Sequence, residues 1–197
     1  ISLCPGHSYA GKNEDLIRAA KEGNVNKIKD LLSKGADVHA KDNDGMTALM
    51  WAAESGQTEV VNLLIEKGAN VHVKGEDGWT ALMYAAGSGN TKVVNSLIEK
   101  GANVNAEDNK GWTALMFAAF NGHTEVIKLL IEKGADINAE AKNGWTALMC
   151  AALNGHAEAV QFLIEKSADV QAKNKNGWTA LMCAASNGKT ETVQLLI

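Results

Sequence analysis

The sequence predicts an all-α solenoid, in which one small unit of two antiparallel helices and a β-hairpin-like turn is stacked many times. The first observation is a six-residue block, Gly-Trp-Thr-Ala-Leu-Met, that recurs every 33 residues and begins at Gly78, Gly111, Gly144 and Gly177. A fifth block with one changed residue begins at Gly45. The second observation is that two short helical patterns follow each block. Because such a unit cannot bury its apolar face alone, we expect one elongated domain.

The first part of each unit predicts a tight turn followed by a short helix, as the unit at 108–140 illustrates. Its Lys110-Gly111 pair corresponds to Asp-Gly or Asn-Gly pairs in the other units, which favour turns with positive φ. Thr113 follows at an N-cap position, and Ala-Leu-Met-Phe-Ala-Ala supplies strong helix formers up to Asn121-Gly122. Each unit therefore begins at a hairpin-like tip and continues into a first helix.

The second part of the unit predicts another helix with a defined end. Apolar residues from Val126 to Ile131 follow a helical spacing, and Gly134 comes where a left-handed C-terminal stop belongs. Ser167 occupies the equivalent position one unit later. Holding a serine in the left-handed region costs about 1 to 2 kcal/mol, so we expect a weak point there.

These residues closely resemble the ankyrin repeat family, whose unit runs Gly-x-Thr-Pro-Leu-His-x-Ala-Ala, Gly-His, Val-Val-x-Leu-Leu and Gly-Ala-Asp-Val-Asn. Alanine replaces the family's proline and methionine replaces its histidine, so apolar packing should link the first helices here. Residues 1–8 are expected to form a flexible segment. The resemblance divides the rest into an amino-terminal capping unit at 9–41, full units at 42–74, 75–107, 108–140 and 141–173, and a partial unit at 174–197.

The resemblance also implies a concave groove lined by three rows of equivalent residues. One row follows the turn glycine, and two rows lie on one face of the first helices because their spacing is three residues. Several aromatic side chains in line would exceed the apolar surface usual for a monomer, which predicts a binding partner. The partner-binding residues predicted in these rows are Met46, Trp79, Trp112, Trp145 and Trp178, then Trp51, Tyr84 and Phe117, then Glu54, Phe120, Leu153 and Ser186.

A structural explanation for the same aromatic residues stays open. Each tryptophan could lie flat on the next tip, and Trp51, Tyr84 and Phe117 could be partly buried against the preceding helix. Glu54 and Phe120 belong to a row whose residue type varies between units, as do Leu153 and Ser186. A purely architectural position would tend to repeat its residue, so this row is the better candidate for specificity.

Charge and cysteine content narrow the classes of function. The chain has 23 acidic and 19 basic residues, a net charge of −4 and no basic run, which argues against nucleic acid as a partner. No apolar stretch reaches the roughly 18 residues that span a bilayer, so we expect no membrane insertion. Three cysteines suggest no disulfide framework, and we expect an intracellular, cytoplasmic protein.

Catalytic and metal-binding residues are not predicted. His123 and His156 fall at the family's Gly-His link, where the side chain braces the loop between helices. Cys150 and Cys183 occupy equivalent positions one layer apart and should be free thiols, too distant for a disulfide or a shared metal ion. Neither a phosphate-binding loop nor a nucleophile beside a base is recognisable, so we expect no catalysis and no cofactor.

The sequence therefore predicts a non-catalytic interaction module that binds a protein or peptide along its groove. The alternative is a regulatory or substrate-recruiting part of a larger enzyme, channel or microbial effector. We expect a monomer, with weak end-to-end association through Val193, Leu196 and Ile197 as a further possibility.

Overall fold

The computed structural model describes the backbone of residues 6–197 and the side chains of residues 11–197. The flexible segment predicted at 1–8 falls mostly on residues 1–5, which lie outside the described residues, and the first helix begins at Gly6. Twelve helices make up the described part of the chain: α1 Gly6–Glu22, α2 Val25–Ser33, α3 Ala48–Glu54, α4 Thr58–Glu66, α5 Ala81–Gly87, α6 Thr91–Glu99, α7 Ala114–Asn121, α8 Thr124–Glu132, α9 Ala147–Asn154, α10 Ala157–Glu165, α11 Ala180–Ser186 and α12 Thr190–Leu196.

The helices form two layers, as the repeat predicts. Each odd-numbered helix packs against the odd-numbered helices of the neighbouring units, and the even-numbered helices form the second layer. The alanine pair near the end of the first helix is fully buried in each of the four full units, as at Ala118 and Ala119, and lets the layers approach closely. The architecture is an all-α repeat solenoid. At two of the tips an isolated antiparallel bridge forms, Lys41 with Thr47 and Glu107 with Thr113.

A threonine and a methionine cap the start of the first helices. The hydroxyl oxygen of Thr47 accepts a hydrogen bond from the backbone N–H of Met50 at 3.3 Å, and Met50 Sδ accepts one from the backbone N–H of Thr47 at 3.4 Å. Thr80 and Met83 repeat the arrangement. The methionine therefore fills the core and also acts as a weak acceptor, which adds a polar contact to the apolar packing expected from the sequence.

Residues with a left-handed backbone conformation lie at the predicted positions, in the turns of the tips and at the ends of the second helices. The tip glycines all have positive φ, for example +80° at Gly111, and Gly134 ends α8 with φ of +90°. Ser167 ends α10 with φ of +67° and is the non-glycine residue with positive φ in the described part of the chain. The left-handed conformation predicted at Ser167 is thus confirmed, and its cost in stability stays a prediction.

Polar side chains also link each unit to the one before it. His123 Nε2 lies 3.0 Å from the carbonyl oxygen of Gly87, and His156 Nε2 lies 3.0 Å from that of Phe120. Asn90 Nδ2 donates to the carbonyl oxygen of Glu54 at 2.8 Å. These carbonyls lie in the last turn of the preceding unit's first helix, so the two histidines and Asn90 brace the junction between two units.

The last helix leaves apolar surface open. Ile197 and Leu195 are exposed, while Val193 and Leu196 are half-buried against the core. End-to-end association through this surface stays a prediction.

Candidate partner-binding groove

The tips bring their tryptophans against the aromatic residues of the first helices. Ring centroids lie 5.0 Å apart for Trp79 and Tyr84, and 4.1 Å apart for Trp79 and Phe117. Trp112 continues the series at 5.2 Å from Phe117 and 6.0 Å from Phe120. We call these five residues the aromatic groove. Each indole contacts a ring of its own unit, and Trp79 also contacts a ring of the next unit.

The rings of the aromatic groove differ in their exposed fraction, which distinguishes accessible rings that could anchor a partner from a buried ring beneath them. Phe120 is 38% exposed, and Trp79 and Trp112 are half-buried. Phe117 is only 8% exposed because it lies between the two indoles, so it forms the floor of the groove. The accessible surface expected from Phe117 is absent, and the partial burial considered from the sequence describes it better.

The amino-terminal end of the predicted rows is occupied by contacts within the chain. Met46 is 6% exposed because its unbranched side chain joins the core. Trp51 Nε1 donates to Asp42 at 2.6 Å, and Lys21 Nζ lies 3.8 Å from the centroid of the same indole. Glu54 is half-buried. Met46 therefore offers almost no contact surface to a partner. In Trp51, one edge of the indole is occupied by Asp42 and one face by Lys21.

The carboxyl-terminal end presents fewer rings. Trp178 is 41% exposed, while Trp145 and Leu153 are half-buried. Ser186 is exposed and its hydroxyl donates to the carbonyl oxygen of Cys183 at 3.1 Å. The aromatic position of the earlier first helices is a buried cysteine in these units, so no ring lies beneath the indoles there.

Cys150 and Cys183 are free thiols, as the sequence predicts. Burial raises the pKa of both thiols above the ordinary value, most strongly at Cys150, so the reactive thiolate is disfavoured. Within residues 11–197, no three His, Cys, Asp or Glu side chains lie close enough together to hold a metal ion.

A concavity of about 500 Å³ opens at the aromatic groove. Asp108 borders it, but its carboxylate accepts hydrogen bonds from the backbone N–H groups of Lys110 and Trp112 at 2.7 and 2.8 Å and holds the tip in shape. The residues that line this concavity are Trp79, Asp108, Lys110, Trp112, Phe117, Phe120, Asn121 and Asn143.

Four of these lining residues were missed by the sequence analysis: Asp108, Lys110, Asn121 and Asn143. Lys110 and Asn143 belong to the position before the turn glycine, which varies between acidic, basic and amide residues along the chain. The kind of variation that singled out the Phe120 row is therefore also present before the turn glycine, and it is the signal by which Lys110 and Asn143 could have been found.

The first two tips carry an acidic field. Burial raises the pKa of the Tyr84 hydroxyl, and the nearby carboxylates of Glu54, Asp77, Asp42 and Asp44 raise it further. These negative charges disfavour a phenolate at Tyr84.

A repeat solenoid with an aromatic groove across adjacent units defines a class of interaction scaffold. A family model of ankyrin repeats matches residues 16–108, 68–141, 101–174 and 138–197, and the chain belongs to the ankyrin repeat family. Repeats of this family are generally protein–protein interaction modules. A comparison with curated proteins finds no match. None of the helices between residues 6 and 197 is long and apolar enough to span a membrane.

Proposed function

We propose that this chain is a non-catalytic interaction module that binds a protein or peptide in its aromatic groove. The observation that carries the proposal is the continuous series of five rings, in which Trp112 lies between the buried Phe117 and the exposed Phe120. The concavity of about 500 Å³ at these rings gives a partner's side chain a place to be buried.

The energetics of such a site favour binding through a few anchors. Aromatic side chains bring roughly 150 to 250 Å² of contact area each and are common hot spots of interfaces. Here they are held by helices and by tips that are hydrogen-bonded to their neighbours, so little conformational entropy is lost when a partner binds. The same groove would serve a regulatory or substrate-recruiting role within a larger protein.

Affinity capture from the native host tests this proposal. The double variant Trp112→Ala/Phe120→Ala is compared with the unaltered protein and with Phe162→Ala, which removes a half-buried ring from the second helix layer. Interactors should be lost with the double variant and retained by the control, with circular dichroism used to verify that both variants fold. Equal recovery of every interactor by the double variant would refute binding through the aromatic groove.

A further inference from the structure

The charge of the tips changes sign along the solenoid. The tips at 42–46 and 75–79 contain acidic residues and no basic residue, whereas the tips at 141–145 and 174–178 each contain one lysine and no acidic residue. The tip at 108–112 lies between them and carries Asp108 and Lys110. The acidic tips are defined by Asp42, Asp44, Glu76 and Asp77, and the lysine cluster by Lys110, Lys142 and Lys175.

The lysine cluster lies beside the aromatic groove. A second concavity of about 350 Å³ is lined by Asn109, Lys110, Trp112, Lys142, Asn143 and Lys175. Lys110, Trp112 and Asn143 line both concavities, so the two sites adjoin each other. One ligand can therefore contact the rings and the ammonium groups together.

The backbone holds the three lysines in fixed relation. The backbone N–H of Lys142 donates to the carbonyl oxygen of Lys110 at 2.9 Å, and that of Lys175 donates to Asn143 at 3.0 Å. These bonds join the tips of three successive units. The backbone positions from which the three lysine side chains extend are therefore fixed before any ligand binds.

No carboxylate among the described side chains forms an ion pair with the three lysines. The ion pairs among residues 11–197 involve other residues, and all three lysines are exposed. The nearest carboxylate in sequence to Lys110 is Asp108, which is committed to the backbone of its own tip. The nearest to Lys142 is Glu140, which lines neither of the two concavities and forms no ion pair with the lysine. Glu107 lines a different cavity together with Lys74, which donates to its carbonyl oxygen.

From this arrangement we infer that the groove binds an acidic peptide segment with one apolar anchor residue. The anchor occupies the concavity between Trp79, Trp112 and Phe120, and the carboxylates of the peptide contact the lysine cluster. Because the acidic tips would repel carboxylates, the acidic part of the peptide lies toward the later units. The inference rests on the proposed function and adds the charge and direction of the ligand.

A single-stranded nucleic acid could also combine stacking with contacts to lysines. Its phosphates repeat along the whole strand, so a strand that follows the groove would bring them against the four carboxylates of the acidic tips. An acidic peptide can confine its charge to one end. The charge reversal along the tips therefore favours the peptide.

Selection from a displayed library of random peptides tests the inference. Peptides selected on the unaltered protein should combine an aromatic or large aliphatic residue with at least two Asp or Glu residues. A selected peptide is then synthesised and its affinity is measured against the triple variant K110Q/K142Q/K175Q. The control K67Q/K100Q/K133Q removes three exposed lysines at the ends of the second helices. Each triple variant loses three positive charges from a net charge of −4, so both have a net charge of −7.

We expect the affinity of the selected peptide to fall about tenfold in the first variant and to change less than about twofold in the control. Failure to select any peptide would count against the proposed function itself. Selected peptides that lack acidic residues, or that bind both triple variants equally, would support a peptide-binding groove and overturn the inference. Displacement of the peptide by an oligothymidylate that needs the same lysines would also overturn it.

Discussion

The groove differs between the units at 42–107 and those at 108–197, although the backbone of the tips is the same. In the first part Trp51 is hydrogen-bonded to Asp42 and covered by Lys21, and the tips are acidic. In the later part the tips carry lysines, and the exposed rings are Phe120 and Trp178. In the row after the turn glycine, Met46 is buried in the core, whereas the equivalent Trp178 offers open surface.

The largest effect should come from the ring at the boundary between these two parts. Phe117→Ala removes a buried side chain between Trp79 and Trp112, and we expect the free energy of unfolding to fall by about 3 kcal/mol. Urea denaturation measures the change, and tryptophan emission should shift to longer wavelength. Phe120→Ala is the matched control, since its exposed ring should cost less than about 1 kcal/mol. Equal losses of unfolding free energy in the two variants would mean that Phe117 and Phe120 contribute equally to packing.

A second prediction concerns the strained end of α10 in the later part. Ser167→Gly removes a side chain from a residue with φ of +67°, and we expect the protein to gain about 1 kcal/mol in thermal stability. Ser88→Gly is the control because Ser88 has an ordinary φ of −93°, so glycine should be neutral or slightly destabilising there. An unchanged melting temperature for Ser167→Gly would show that the serine is not held in the left-handed region.

A third prediction uses a difference between the tips. Asp108 and Asn174 accept backbone N–H groups of their own tips, whereas the equivalent residue at 75 is glycine. A Cβ at Gly75 would have no neighbour closer than 3.8 Å. Gly75→Asn should therefore raise the free energy of unfolding by about 0.5 kcal/mol. Destabilisation in a urea titration would show that this tip cannot adopt the geometry of the others.

The smallest expected effect tests the acidic field of the first tips. Asp77→Asn should lower the pKa of Tyr84 only slightly, because burial is the larger cause of its elevation. Ultraviolet titration measures the change, and Asp136→Asn provides a control that alters the same charge elsewhere. Because the folded-state pKa of Tyr84 is raised, its contribution to stability is complete below pH 10 and is lost as the pH rises above that value. If the pKa of Tyr84 is the same in both variants, Asp77 has no influence on it, and the acidic tips cannot be used to distinguish the two parts of the groove.

Local chemistry made most of the fold predictable from the sequence. Thr113 as an N-cap, the tip glycines and the left-handed Ser167 follow from φ preferences and short-range hydrogen bonds, and the structure confirms each. The sequence left open whether Phe117 is buried or accessible, because its burial depends on which ring the neighbouring unit places above it.

The lysine cluster escaped the sequence analysis for a different reason. Lys142 and Lys175 are equivalent in the repeat, but Lys110 stands one position later in its own tip. Comparison of positions 33 residues apart therefore separates it from the other two. The bond between the backbone N–H of Lys142 and the carbonyl oxygen of Lys110, and the concavity that the three lysines line together, show that these residues are neighbours.

The junction contacts bear on how such a chain can evolve. Asn90, His123 and His156 all reach a carbonyl in the same turn of the preceding unit, so successive junctions are interchangeable. Duplication of one of these units would reproduce a junction of the same kind. It would nevertheless alter the distance between the acidic tips and the lysine cluster. Recombination could therefore change the length of ligand that the surface accommodates, one repeat unit at a time, while the fold stays the same.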